Sequence, residues 1–451
     1  MSVKIKINWD NDNVVSESVR IYRADSIFTP DALPQVLAEI SGDIYEYEDL
    51  TTNEGQLYFY MMSARLVDKE KFTECFEVDT TFNNELWINS EAFFSLLNLA
   101  AGFHALDPTA KRVSPQTSLT GSSKWAGGVL GVDGRIYGAP LNSTSVLIIN
   151  PITNEVELTN FGLSFGSGSS KWHGGVLAAN GKIYCAPHNN DFVLIIDPAT
   201  NSAELSNFGL SLSGNSKYIG GVLAPNGKIY FIPYVAANVL IVDPATNSAE
   251  LSTFSLDLND TSKWAGGVLG VDGRIYGIPH NAPDILIIDP SNHTASRSSM
   301  GADIGSAGVG VRWHSGCIGP NGKIYAIPRR ASKFLIIDTI AQSAEVATLG
   351  FSSFTQDGWY AGSMGVDGKI YAAPYSSDKI LVIDPNNNVA RTSDFGVVLS
   401  DTNKFIGSVL APNGSIYFIP RNSTDILVVD KHSDVPSQNL NFCLSPYINK
   451  F

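Results

Sequence analysis

Short apolar runs separated by turn-forming residues recur from residue 122 to residue 430, and the second copy shows the pattern clearly. The run at 174–178 is followed by Asn180 and Gly181, a pair that favours a two-residue type I′ hairpin. A second run ends at Pro187, which cannot donate to a sheet, and a third, at 192–196, ends in the turn-rich segment 197–201. A fourth and more polar run begins at Ala203. The pattern has no helical period and predicts a four-stranded antiparallel meander.

The same pattern occurs seven times, and each copy begins with a large aromatic residue. These predicted anchors follow one another at intervals of 47, 46, 46, 49, 47 and 45 residues, and they are Trp125, Trp172, Tyr218, Trp264, Trp313, Tyr360 and Phe405. Every copy has a glycine in its first turn and a tyrosine at one strand position, from Gly134 and Tyr137 in the first copy to Gly414 and Tyr417 in the last. Residues repeated this uniformly are predicted to be scaffold.

One such sheet buries too little apolar surface to be stable alone, so neighbouring copies are expected to pack face to face. The repeat length and strand content resemble those of kelch and WD40 proteins. This resemblance implies a seven-bladed β-propeller, with the first strand of each blade along a central channel. Residues 106–114 repeat the Asp-Pro turn of later copies without the strands that precede it. We therefore expect this segment to supply the outer strand of the last blade, in the velcro closure common to propellers.

Residues 1–80 have a different pattern, with alternating runs at 3–9, 18–23 and 56–64. Trp9, the Tyr22 strand and Tyr58 resemble a fibronectin type III domain, in which Tyr58 would be the corner tyrosine. The resemblance implies an all-β chain that begins with a β-sandwich used for docking or as a spacer. Residues 81–102 are predicted to be a linker with a short helix from Glu91 to Ala101, which either packs on a domain or makes an oligomer contact. Residues 103–451 are predicted to form the propeller.

The chain carries 30 basic and 44 acidic residues, a net charge of −14, which argues against nucleic acid and membrane as partners. Serine, threonine, asparagine and glycine supply the polarity instead, which suits a sugar-like ligand. Cys75, Cys185, Cys317 and Cys443 lack metal-site spacing and are expected to be free thiols. The N-terminus has no apolar signal region, so we expect synthesis in a host cytoplasm and no signal peptide. No cofactor is expected.

The residue after the repeated proline varies while its neighbours do not. It is Leu141 in the first copy, and the other six form the candidate ligand-binding rim: His188, Tyr234, His280, Arg329, Tyr375 and Arg421. Imidazole, phenol and guanidinium groups on one rim would stack on and hydrogen-bond to a sugar or peptide. Drift of surface residues is the alternative interpretation.

The residue before the aromatic anchor is basic in six copies, and it forms a secondary candidate ring: Lys124, Lys171, Lys217, Lys263, Arg312 and Lys404. The remaining copy has Trp359. Such a ring could concentrate an anionic ligand such as an acidic polysaccharide. A feature present in nearly every copy could equally be architectural, with a basic stem covering the aromatic anchor.

Catalysis is weakly indicated, and the sequence predicts no enzyme. His173 and His314 each follow an anchor tryptophan, and His314 could approach His280 from the next blade. Without a matched carboxylate these histidines predict neither a metal site nor a nucleophile with its base. The Asp-Pro turns lack the carboxylate density of calcium loops, so no metal is expected.

A sandwich, a helical joint and a terminal propeller, in that order, resemble tail-fibre and other virion adhesion proteins of tailed bacteriophages. The resemblance implies a homo-oligomeric virion protein that docks on other virion proteins through residues 1–80. Its propeller would bind a host surface glycan or protein. A polysaccharide-degrading propeller enzyme and a purely structural decoration or collar protein are the alternatives.

Overall fold

The computed structural model describes the strands between Ser2 and Asp79 by their backbone, and residues 108–430 in full apart from 259, 261, 307–309, 353, 355 and 356. The chain divides into two compact units, and the described part of the second begins at Pro108. Within the described residues no helix is long and apolar enough to span a membrane. The predicted linker helix and the C-terminal tail lie outside the described residues.

The first unit contains two described sheets. One pairs Ser2–Asn8 with Glu46–Asn53. The other has Leu57–Leu66 at its centre, and its remaining strands are Val36–Ser41, Ser18–Ala24, Lys69–Phe72 and Phe76–Asp79. The β character of residues 1–80 agrees with the sequence pattern, whereas the fibronectin type III resemblance and its corner tyrosine stay predictions.

The second unit is a seven-bladed β-propeller of four-stranded antiparallel sheets, as the repeat predicts. The first strands are Trp125–Leu130, Trp172–Leu177, Tyr218–Leu223, Trp264–Leu269, Trp313–Ile318, Trp359–Met364 and Phe405–Leu410. The second strands are Ile136–Pro140, Ile183–Pro187, Ile229–Pro233, Ile275–Pro279, Lys323–Pro328, Ile370–Pro374 and Ile416–Pro420. The third are Val146–Ile149, Val193–Asp197, Val239–Asp243, Ile285–Asp289, Phe334–Asp338, Ile380–Asp384 and Ile426–Val429. The outer strands are Val156–Thr159, Ser202–Ser206, Ser248–Ser252, Thr294–Ser298, Ser343–Ala347, Val389–Ser393 and Ala110–Val113.

The ring is closed by the segment that the sequence analysis assigned to this role. Ala110–Val113 pairs antiparallel with Ile426–Val429, with Val113 opposite Ile426. The first strand of each blade contacts the first strands of both neighbours, and the seventh contacts the first. The core lies between blades, where Tyr184 of one sheet packs with Phe231 of the next. The predicted velcro closure is therefore confirmed.

The first turn of each blade differs in type from the prediction. In the second blade, the Gly181 amide donates to the Ala178 carbonyl, and Gly181 alone of the Asn180-Gly181 pair has a positive φ, of 79°. This is a type I turn followed by a left-handed glycine, so the predicted type I′ turn is wrong. The Asn180 side chain explains the difference, because its oxygen accepts from the Lys182 amide and its amide donates to Tyr184.

The repeated tyrosine is scaffold because its hydroxyl bonds to the turn. In all seven blades it pairs with the Asp or Asn four residues earlier, as in Tyr137 to Asp133 at 2.8 Å. Where that residue is Asn, its amide also reaches the Asp-Pro turn of the next blade, as Asn226 reaches the Pro290 carbonyl at 3.2 Å. One side chain thus ties a turn, its own strand and the neighbouring blade together.

The anchor of the sixth blade differs from the predicted one. Trp359, and not Tyr360, begins the first strand, and its indole Nε1 donates to the Lys379 carbonyl as the Trp313 indole does to the Lys333 carbonyl. The basic position of this blade is therefore held by Gly358, and Tyr360 is the residue after the anchor. The spacing of the repeated turn glycine, which lies nine residues after both Trp313 and Trp359, carried this signal in the sequence.

Glycines at the third position of the first strands let the blades meet at the hub. We call Gly127, Gly174, Gly220, Gly266 and Gly407 the hub glycines, and all have positive φ. A Cβ on Gly127 would lie 2.8 Å from the Gly174 Cα, and one on Gly407 would lie 2.8 Å from the Gly127 Cα. Since these contacts are with backbone, no side-chain movement could relieve them.

Replacing a hub glycine should therefore lower the free energy of unfolding by more than its positive φ alone would. We expect Gly127→Ala to lower the free energy of unfolding by about 3 kcal/mol or more, because left-handed strain of about 1 kcal/mol adds to a backbone clash. Gly209→Ala is the matched control, since Gly209 has φ 76° and no neighbouring atom within 4 Å of the point that a Cβ would occupy. Urea unfolding of both variants measures the difference, and equal losses would contradict the hub constraint.

Candidate functional site

The two candidate residue sets alternate along one closed ring of backbone hydrogen bonds, which we call the rim ring. The amide of each post-proline residue donates to the carbonyl of the pre-anchor residue of its own blade, and that residue's amide donates to the preceding blade's post-proline carbonyl. Fourteen such bonds of 2.7 to 3.0 Å run without a break around the propeller, and Lys124 closes them onto Arg421. The rim is thus a rigid backbone circle from which side chains project.

A β-bulge in the first strand of each blade places a further residue in the channel. In the second blade the pairing shifts between Trp172 and Gly175, so two residues of the first strand oppose one of the second. Bulges re-aim side chains, and here the residue after the anchor lines the central cavity in five blades, with polar rings at His173, His314 and Tyr360 and aliphatic side chains at Ile219 and Ile406. Both histidines were candidates from the sequence, whereas Tyr360 was assigned as an anchor because of the register error in the sixth blade.

The rim and channel side chains form one continuous aromatic cluster, which we call the mouth. His173 lies 5.7 Å from His188 and 5.5 Å from His314, measured between ring centroids. The remaining pairs are Tyr234 with His188 and His280 at 6.0 and 5.2 Å, His314 with His280 and Tyr360 at 6.0 and 3.8 Å, and Tyr360 with Tyr375 at 4.6 Å. The expected approach of His314 to His280 is confirmed.

Arginines complete the mouth on the side of blades five to seven. The Arg329 guanidinium lies 4.8 Å from the Tyr360 ring centroid, and that of Arg421 lies 5.2 Å from Tyr375, to whose hydroxyl Arg421 also donates. Asp357 accepts from Arg329 at 2.7 Å and from Arg330 at 2.6 Å. All six predicted rim residues therefore meet at the mouth, while Leu141 packs with Tyr360 and Tyr375 in its apolar wall.

Burial keeps the histidines and Tyr360 of the mouth neutral near pH 7. Burial, reinforced by Arg329, lowers the pKa of His280 to about 4. Burial also lowers the pKa values of His173 and His314 well below the usual range, and raises that of Tyr360 to about 12. Burial alone would raise the pKa of Asp357, but Arg330 and Arg329 outweigh it and the pKa is lowered.

Beneath the mouth lies a cavity of about 60 Å³, walled by the glycines of the first strands. Its polar side chains include His173, His314 and Tyr360, with Ser315 and Ser408. A cavity of this size has room for a few water molecules or one small polar group. The mouth can therefore hold the polar end of a larger ligand that lies across the rim.

The five lysines of the basic ring are buried, and their ammonium groups bond inside the pre-anchor loops. The Lys124 ammonium donates to the carbonyls of Gly121, Arg421 and Ser423, and that of Lys263 donates to Ala236 and Asp260. Lys171, Lys217, Lys404 and Arg312 likewise donate to carbonyls of the pre-anchor loops. These contacts favour the architectural interpretation, because the cations already have partners inside the protein.

The other candidate groups, the Asp-Pro turns and the cysteines, belong to the scaffold. In the Asp-Pro turns the carboxylate accepts from the turn's own amides, as Asp197 does from Ala199 at 3.0 Å. Among the described residues no group of three or more His, Cys, Asp or Glu side chains is placed to hold a metal ion. Burial raises the pKa of the free thiols Cys185 and Cys317 to about 12, so both are unreactive.

Solved structures share this fold at low identity. A streptogramin B lyase has a TM-score of 0.56 and 13% identity over 71% of this chain and 96% of its own. Virginiamycin B lyase from Staphylococcus aureus has a TM-score of 0.55 and 11% identity over 71% and 97%. The extracellular domain of a putative one-component system from B. thetaiotaomicron has 0.54 and 9% over 71% and 40%. No protein-family profile and no curated sequence matches the chain. These similarities support the propeller fold alone.

A buried lysine of the basic ring should matter for stability. We expect Lys263→Met to lower the free energy of unfolding at pH 7 by about 1 to 3 kcal/mol, since it keeps the stem and leaves two carbonyls without their donor. Lys228→Met, on the opposite face, is the control and should change little. Urea unfolding measures both, and equal losses would contradict the assigned role.

Comparison of the wild type with Lys263→Met also tests the pKa of Lys263, which burial lowers to about 8. The unfolded chain, with a lysine pKa of about 10.4, binds more protons than the folded chain between these two values. The unfolding free energy of the wild type therefore rises with pH across this window relative to Lys263→Met. Measuring the free energy of unfolding at pH values of about 7 and 9.5 checks the sign of this change. A difference between the wild type and Lys263→Met that narrows as pH rises would contradict the lowered pKa.

Proposed function

We propose that this protein is a binding protein whose propeller recognises an acidic glycan at the mouth. The observation that carries the proposal is the convergence of all six predicted rim residues, together with three channel residues, on one aromatic and cationic surface. Residues that are far apart in the sequence and lie together in the structure are typical of a binding site on a rigid scaffold.

The chemistry of the mouth suits a sugar that carries negative charge. Tyr234, which is partly exposed, offers its ring to the apolar face of a sugar, and its hydroxyl can bond to the sugar's oxygens. Arg329 and Arg421 can pair with a carboxylate in a forked geometry. A single carboxylate, Asp357, is engaged by Arg329 and Arg330 among the described residues of this surface, so the mouth stays cationic within a chain of net charge −14.

The two halves of the mouth divide these tasks. Blades two to four contribute His188, Tyr234 and His280, which are neutral donors, acceptors and stacking surfaces. Blades five and seven contribute Arg329 and Arg421. A glycan lying across the mouth would thus place its charged sugar over the arginine half and its neutral sugars over the imidazole half.

We further propose the setting that the order of segments suggested: a homo-oligomeric appendage of a tailed-phage virion that docks through residues 1–80 and binds a host surface glycan or protein. The division of the chain into two compact units supports a docking part and a recognition part. Mass spectrometry and imaging of purified particles test this setting. Mature particles that lack the chain would contradict it without affecting the glycan site.

A second candidate is a polysaccharide-degrading enzyme. The neutral histidines of the mouth can accept protons, and lyases occur among the proteins of similar fold. Release of reducing ends from an acidic polysaccharide by the wild type, lost on His173→Phe, would favour this candidate. Saturable binding without turnover would favour the binding protein.

The rim residues should account for the affinity of the mouth for an acidic glycan. We expect Arg421→Met to weaken binding of an acidic glycan, first identified on a glycan array, by at least about tenfold, because a charge-assisted pair is lost. Arg274→Met is the control, since Arg274 pairs with Asp272 and Asp289 on the opposite face. Isothermal titration calorimetry measures both affinities. Unchanged binding by Arg421→Met, or equal loss with both variants, would refute the site.

A further inference from the structure

His314 is a buried polar side chain without a hydrogen-bond partner. It is 3% exposed and lines the cavity beneath the mouth. Among the described residues neither ring nitrogen has a partner of hydrogen-bond geometry, although the Tyr360 main chain acts weakly on its pKa. The great majority of buried polar atoms in proteins have a hydrogen-bond partner, so the ring nitrogens of His314 are available to a water molecule or a ligand. Two more unpaired donors or acceptors lie at the same mouth, His280 Nδ1 and Arg421 Nε.

The groups that face His314 identify the charge of that partner. They come from four blades: His173, His280, Arg329 and Tyr360. None of them is an acid that ionises near neutral pH, and the nearby Asp357 is bound by two arginines. Such surroundings repel a cation and attract an anion. A metal ion is further excluded because no suitable ligand group occurs among the described residues.

Size and position limit the anion to a small planar group on a larger molecule. The cavity has a volume of about 60 Å³, which accommodates a carboxylate and not a whole sugar. The aromatic mouth lies above it, so the rest of the molecule would lie on the rim. Tyr360, whose ring centroid lies 3.8 Å from that of His314, would flank the ring plane of the imidazole.

We propose that His314 and His173 form the floor of a subsite for the carboxylate of a uronic-acid-type sugar, closed from above by Arg329 and Arg421, and that binding takes up a proton. This inference rests on the proposed function and names the group that the glycan site selects. No bond to carbon is made or broken in this step. A proton from solvent joins an imidazole, and the imidazolium donates to a carboxylate oxygen.

Proton uptake follows from the charges at the subsite. In the free protein the imidazoles are neutral because burial, neighbouring histidines and Arg329 lower their pKa values. A bound carboxylate raises the pKa of the imidazole that it contacts, so protonation and binding favour each other. Affinity should therefore fall as pH rises, by up to about tenfold per pH unit where one full proton is taken up.

The experiment uses the full chain, labelled with ¹⁵N-histidine, and two probes of equal shape: D-glucuronate and its uncharged methyl ester. We expect saturable shifts of the His314 ring nitrogens with glucuronate at a pH of about 5.5, at least about tenfold weaker binding at about 7.5, and at least about tenfold weaker binding of the ester. His314→Phe keeps the ring contact with Tyr360 and should abolish the response. His314→Leu is a second variant that removes the nitrogens with a smaller side chain.

His293→Asn is the matched control, since His293 lies exposed on an Asp-Pro turn in the left-handed conformation that asparagine tolerates. It should bind glucuronate as the wild type does. Equal binding of acid and ester, pH-independent binding, no saturation by about 50 mM, or full binding by a folded His314→Phe would each overturn the subsite.

The two proposals fail in different ways. If a glycan binds through Arg421 while acid and ester are equivalent, the subsite is wrong and the proposed function stands. If glucuronate binds through His314 while no glycan depends on Arg421, the proposed function is wrong and a small-acid site remains.

Discussion

The rim ring is the constraint on which the rest of this propeller depends. Each of its fourteen hydrogen bonds joins a post-proline residue to a pre-anchor residue, and half of them cross from one blade to the next. At the hub, glycines let neighbouring first strands approach so closely that a Cβ would lie only 2.8 to 3.4 Å from the backbone of the next blade. Seven separate loops thereby become one rigid edge, which spares a ligand much of the cost of ordering them.

Charge is distributed on this edge in two opposite ways. The basic ring points beneath the loops, where five lysine ammonium groups and Arg312 bond to backbone carbonyls and hold the loops down. The arginines of the mouth lie over aromatic rings and face the channel. Similar residue types thus have different surroundings at the two positions of the rim ring, because the pre-anchor cations are held by loop carbonyls and the post-proline arginines contact the aromatic rings of the mouth.

The site arises where the repeats differ. Hydrogen bonds of the turn tyrosines and anchor indoles recur around the ring, and they define the scaffold. After the anchor, by contrast, the residue is Ala126, Ile219 or Ala265 in some blades and histidine or tyrosine in others. The polar rings occupy blades two, five and six, and small or aliphatic residues occupy the other four. The resulting asymmetry gives the mouth a direction that a perfect seven-fold repeat would lack.

The sequence by itself determined the seven blades, the velcro strand and the rim positions, because each depends on local signals: strand alternation, turn glycines, strand-ending prolines and a fixed period. It misplaced the sixth anchor, where Trp359 and Tyr360 are both large aromatics and only the nine-residue spacing to the turn glycine distinguishes them. Only the tertiary structure decided that Lys124 points inward while Arg421 faces the channel. It alone brought His173 and His314, 141 residues apart, to a centroid distance of 5.5 Å. Direction and long-range proximity follow from how sheets pack around an axis, which no single repeat encodes.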